Sequence, residues 1–174
     1  MDEQLNQILW TTAKYPAFQR NNIYAHKYVP QKERMGLKNE ISKFLLQSVL
    51  PIFKNNSVSE IETIKLIERL SNLLSRNYKS ALKDEKFTVG TSQKIVSVYI
   101  KSMWLTGNTE EPNICPIDGI ILKHIGFDGD SWTAFDIRDY KSALTACKDV
   151  MKTSDYSTIA VWELMTYKEL SKNK

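Results

Sequence analysis

The chain has 174 residues with 42% hydrophobic and 25% charged side chains, enough for one folded domain with a sizeable core. Its net charge is +4, and residues 1–54 hold all of the excess, with eight Lys/Arg against four Asp/Glu, while residues 55–174 balance at 16 against 16. No apolar run approaches the ~18 residues of a membrane-spanning helix, and the acidic start MDEQLNQILW lacks the basic opening of a signal peptide. An intracellular, cytoplasmic protein with no membrane partner is expected. The two cysteines, Cys115 and Cys147, have no metal-ligand spacing and are expected reduced and buried.

Residues 2–15 suit a first helix, with Leu5, Ile8, Leu9 and Trp10 on one side and Pro16 ending it. The next segment interleaves Phe18, Tyr24 and Tyr28 with Arg20, His26 and Lys27. Residues 31–53 read as a long helix with a stripe of Leu37, Ile41, Phe44, Leu45 and Ile52, kinked or ended by Pro51. Ser57 with Glu60, or Ser59 with Glu62, offers a capping box for the following helix. That helix carries Ile61, Ile64, Ile67, Leu70, Leu74 and Tyr78 and should run to about Leu82.

A short approach, Phe87 to Val89, then meets Gly90. Thr91 can cap the helix behind it, which should reach about Leu105. This helix is apolar on nearly every face, through Ile95, Val96, Val98, Tyr99, Ile100, Met103 and Trp104. A helix apolar all round is packed on several sides, so it is expected at the centre of the fold. An exposed loop with Gly107, Glu110, Glu111 and Pro112 follows. A short helix then opens at Cys115-Pro116-Ile117-Asp118 and closes at Gly126. Asp136 caps a helix striped by Ile137, Tyr140, Leu144, Cys147 and Met151. A last helix carries Ile159, Trp162, Met165 and Leu170. Only Lys86 to Val89 could form a strand. The expectation is an all-α, single orthogonal domain of about seven helices. Its parts are basic N-terminal helices (1–54), a hairpin-like core (57–126) and C-terminal helices (131–174).

Most enzyme signatures are missing. The chain has no P-loop, GxGxxG, HExxH, CxxC or GxSxG, and its histidines are His26 and His124 alone. No cofactor or metal is expected. What remains is an order of elements: a helix, the Phe87-Thr88-Val89-Gly90 turn, an apolar helix, a loop, then Pro116-Ile117-Asp118 opening a helix.

This order, over about 40 residues from Lys86 to Gly126, resembles the core of the helix-hairpin-helix DNA glycosylases. The resemblance implies a hairpin whose backbone N–H groups grip a DNA phosphate at Gly90, Thr91, Ser92 and Lys94, with Lys101 nearby. It implies a pocket for an extruded base and Asp118 as the catalytic carboxylate. The chain departs from the family in having one hairpin glycine and in carrying Ser92 where lyase members carry their lysine. Lys94 lies about 200° further round the helix. The implied function is a nucleic-acid-binding helical protein, DNA more than RNA, that is monofunctional or catalytically inactive. The alternative is a non-enzymatic helical protein-interaction module. Asp118 facing a cleft beside Gly90 would favour the first, and Asp118 tied up as a helix cap the second.

Overall fold

A computed structural model describes residues 8–9, 11–13, 17–18, 22–26, 28–54 and 56–172. Leu5, Trp10, Arg20 and Lys27 lie outside the described residues. The fold is all-α. From Gln31 on, its α-helices are α1 (Gln31–Phe44), α2 (Leu50–Phe53), α3 (Glu60–Asn77), α4 (Val89–Leu105), α5 (Gly119–His124), α6 (Ile137–Lys152) and α7 (Ile159–Lys172). One cluster of buried side chains runs from Leu9 to Trp162 and draws on all seven helices.

The long helix expected over 31–53 is interrupted. Leu45–Val49 forms a π turn between α1 and α2, with Pro51 in the first turn of α2. Pro51 has no N–H to give a continuing α-helix, and the first turn is where that loss is tolerated. The register shift leaves Leu46 39% and Ile52 37% exposed, so Ile52 leaves the expected stripe. Ile61 and Ile8 are also exposed, where the stripes expected them inside.

Helix α3 starts on the capping box of Ser59 and Glu62. It ends at Asn77 rather than near Leu82, and two short 3-10 turns, Lys79–Ala81 and Lys83–Glu85, follow. Asp84 and Glu85 both have positive φ, at 51° and 56°, a left-handed pair that no α-helix accommodates. Residues 86–89, where alone a strand could have formed, make none. Among the described residues an isolated antiparallel bridge joins Tyr24 to Leu82. Helix α3 holds the Phe87 backbone directly. Ser75 Oγ accepts from Phe87 N–H at 2.9 Å, and Ser71 Oγ donates to the Phe87 carbonyl at 2.6 Å.

Helix α4 is central, as its all-round apolar character implies. Ile95, Val96, Tyr99, Ile100 and Met103 are fully buried. Its cap is Thr88 rather than Thr91, because Thr88 Oγ1 accepts from Thr91 N–H at 3.1 Å. Gly90 is closed in. A Cβ at this position would lie 1.6 Å from the Trp132 carbonyl oxygen, so only glycine lets α4 meet the Trp132–Ala134 turn.

Helix α5 closes with Gly126 at φ 63°. Phe127 N–H donates to the Leu122 carbonyl and Gly126 N–H to that of Lys123, the double bond of a Schellman end. Asp136 caps α6 through a box with Asp139. Helix α7 is rotated from the expected stripe. Ile159, Trp162, Glu163 and Thr166 are buried, while Met165 and Leu170 are only partly covered.

Candidate functional site

The phosphate grip expected at Gly90 to Lys94 is interior. The Gly90 N–H, which the resemblance would aim at a phosphate, donates to the Phe135 carbonyl at 3.2 Å. Thr91 is 1% exposed, and its hydroxyl lies 2.8 Å from that of Thr88. Ser92 is fully buried and its hydroxyl donates to the Thr88 carbonyl at 3.0 Å. Ordinary helix-start and packing chemistry therefore occupies the polar groups of the expected phosphate grip. A phosphate would reach the Gly90 N–H only by displacing the Trp132–Phe135 segment.

Lys94 and Asp118 do come together, as a buried ion pair. Lys94 Nζ donates to Asp118 Oδ2 at 2.9 Å, and both side chains are 8% exposed. The other oxygen, Oδ1, accepts from Ile120 N–H at 2.9 Å and Ile121 N–H at 3.2 Å, capping α5. Burial pushes the Asp118 carboxyl up. The Lys94 charge and hydrogen bond, with the Ile121 and Ile120 N–H groups, outweigh that and hold it below the usual carboxylate range. Asp118 is thus a stable anion with both oxygens engaged.

Lys101 follows Lys94 by seven residues, two helical turns, so both lie on one stripe of α4. Lys101 Nζ donates to Glu163 Oε2 on α7 at 2.5 Å and lies 6.0 Å from the Tyr167 ring centroid. The Glu163 side chain is 3% exposed. Burial raises the Glu163 carboxyl, and the attraction of Lys101 and Lys94 only partly offsets this. One stripe of α4 therefore binds a carboxylate from α5 and another from α7. Beside Lys94, the Gln93 side chain reads the backbone of the α5 approach twice. Its Nε2 donates to the Ile117 carbonyl at 2.6 Å, and its Oε1 accepts from Ile117 N–H at 3.2 Å.

Cys115 and Cys147 are both buried free thiols. The neighbouring Cys147, and burial, hold the Cys115 thiol well above its usual range, the opposite of an activated nucleophile. Among the described residues no group of three or more His, Cys, Asp or Glu could hold a metal ion, and no helix is long and apolar enough to cross a membrane.

Sequence reasoning missed Gln93 and Glu163. A signal for Glu163 exists, because positions 159, 162, 163 and 166 have the i, i+3, i+4, i+7 spacing of a buried face. That face carries Ile, Trp, Glu and Thr. An acid on such a face needs a buried cation, and Lys101 sits on the helix with no continuous polar face.

A recess of about 230 Å³ lies outside this network, lined by Lys83, Lys86, Thr88 and Thr133 among others. Asp118 and Lys94 are not among its lining residues. No family model, curated protein or solved structure matches the chain.

Proposed function

We propose that the protein is a non-catalytic helical module that acts by binding a macromolecular partner. The observation that carries this reading is the engagement of Asp118. Both oxygens have partners and the residue is 6% exposed, so the carboxylate has no free face for a sugar or a water. Tied up as a cap, it fits the interaction module rather than the glycosylase. The test is base release from a panel of damaged duplexes by the intact protein. No release is expected. Release that disappears in Asp118→Asn, with the fold retained, would overturn the reading.

A second reading takes nucleic acid as the partner, and the placement of exposed cations favours it. Lys32 and Lys43 on α1 are exposed, as are Lys65, Arg69 and Arg76 on α3. The two helices lie against each other in opposite directions: Arg69 sits 5.9 Å over the Phe44 ring, and Gly36 abuts Tyr78. Glu33, Glu62 and Glu68 interrupt these cations. These cations are open to a phosphate, whereas Gly90, Ser92 and Lys94 are buried. Binding to duplex and single-stranded DNA at two salt concentrations tests it. A log–log salt slope of about −0.9 per phosphate on duplex DNA would support it. Absence of binding at ~50 mM salt would leave a protein partner as the reading.

A further inference from the structure

The two buried carboxylates of the α4 stripe are held very differently. Asp118 accepts three hydrogen bonds, from Ile120 N–H, Ile121 N–H and Lys94 Nζ. Glu163 accepts one among the described residues, from Lys101 Nζ. A carboxylate removed from water with a single donor has unmet acceptor capacity, and taking up a proton removes its charge at little structural cost. Lys101 can survive that change. Its side chain is 17% exposed and lies near the Tyr167 ring, so its charge keeps access to water when Glu163 is neutral.

Glu163 also sits where a change of charge acts on a whole element. It belongs to α7, which packs on α5 and α6 and reaches α4 through Lys101. Besides Glu163, the buried anchors of α7 are Ile159, Ala160, Trp162 and Thr166. We propose that Glu163 is a proton-binding site through which pH sets how firmly α7 is docked.

The direction follows from the environment. The docked carboxyl sits above the ordinary glutamate value of 4.5, because burial penalises its anion. The docked form therefore holds the proton more tightly than an undocked, hydrated Glu163. This contribution to docking is complete below 4.5 and is lost as pH rises through the elevated value. Asp118 acts in a separate window. Its contribution is present above the ordinary 3.8 and is lost as pH falls through its lowered value. The charged or titratable neighbours of the Glu163 site are Lys94 and Lys101 from α4, Asp118 at the start of α5, and Tyr167 on α7. Cys115, in the approach to α5, senses both Glu163 and Cys147 of α6. The His124 ring of α5 lies tilted against Trp162, centroids 6.2 Å apart, and needs its own control.

Two measurements on the full chain test this. Carbon-detected NMR titration of the Glu163 carboxyl in the wild type reads the group directly and should place it above 4.5. Hydrogen exchange, expressed as protection relative to intrinsic rates, reads α7 docking between pH ~4.5 and ~8. Protection over 159–172 should fall as pH rises, by up to about tenfold for each unit of pKa elevation. The fall should persist in His124→Gln and vanish in Glu163→Gln. A carboxyl titrating at or below 4.5 overturns the proposal. So does an equal pH response in wild type and Glu163→Gln.

Discussion

Lys94 and Asp118 stand 24 residues apart in sequence and 2.9 Å apart in space, joining the central helix to the cap of α5. A buried pair of this kind adds little net stability over an apolar pair of similar volume, but removing one partner strands the other charge. Asp118→Ala should therefore cost about 3–5 kcal/mol. The double change Lys94→Met, Asp118→Asn should cost less than Asp118→Ala alone, because no buried charge remains and the amide oxygen can still cap α5. Denaturant melts of the three proteins measure this. Equal loss in the single and double variants would show that the stranded Lys94 charge is not what makes Asp118→Ala costly. Asp118→Ala should also flatten acid denaturation below 3.8, where the wild-type pair is progressively lost.

Gly90 makes the tightest contact of the six glycines. A methyl group there would overlap the Trp132 backbone, which cannot swing aside as a side chain can. Gly90→Ala should destabilise by ~1–3 kcal/mol or more, through overpacking. The same change at Gly119, where nothing lies within 4 Å of the added carbon, should be nearly neutral. Thermal melts of the two variants give the comparison. A mild Gly90→Ala would mean that the Trp132–Ala134 turn yields easily.

Ser71 and Ser75 stand one helical turn apart on α3 and together satisfy the Phe87 backbone. Removing the Ser71 hydroxyl takes the 2.6 Å donor from a buried carbonyl and leaves only a 3.4 Å contact from Ser75. Ser71→Ala should cost about 1–3 kcal/mol, and Ser71→Thr less if its hydroxyl keeps the bond. Equilibrium unfolding in urea reads both.

Helix α4 is the element whose place in the fold was plainest from sequence, since apolar residues fall on nearly every face of it. Ile95 is fully buried, so Ile95→Ala should cost roughly 2–5 kcal/mol in a denaturant melt. A loss below ~1 kcal/mol would mean that its neighbours collapse into the space.

The capping signals at Ser59, Asp136 and Gly126 were also legible, because each depends on residues within a few positions of one another. The π turn at 45–49 was not, since apolar residues fill the segment in any register. Nor was the role of Gly90. A glycine before a helix reads as a turn, and only the arrival of Trp132, 42 positions on, makes it a packing contact. For the candidate site, Lys94 and Asp118 were marked only by the family resemblance, which implied a surface cleft. Their partnership is long-range, and pairing converts two expected surface groups into interior ones. Glu163 shows the same limit from the other side. Its face was readable from the 159, 162, 163, 166 spacing, but its cation comes from a helix 62 positions earlier.

Gln93 gives the sharpest test of whether the polar stripe of α4 orients α5. It is fully buried and neutral, and its amide pairs with both backbone groups of Ile117, immediately before the Asp118 cap. Gln93→Leu keeps a side chain of similar bulk but leaves the Ile117 N–H and carbonyl without these partners, at about 1–3 kcal/mol for each group left unsatisfied. Gln93→Glu is the more telling change. A carboxylate can accept from Ile117 N–H but cannot donate to its carbonyl while ionised. It would also place a second acid beside Lys94. At neutral pH Gln93→Glu should be less stable than wild type, and it should recover part of the loss in mild acid, where a protonated carboxyl can donate again. Urea melts of wild type and Gln93→Glu at several pH values give the measurement. A pH-independent difference between the two would mean that Ile117 shifts to another partner and that Asp118 and Lys94 alone hold the start of α5.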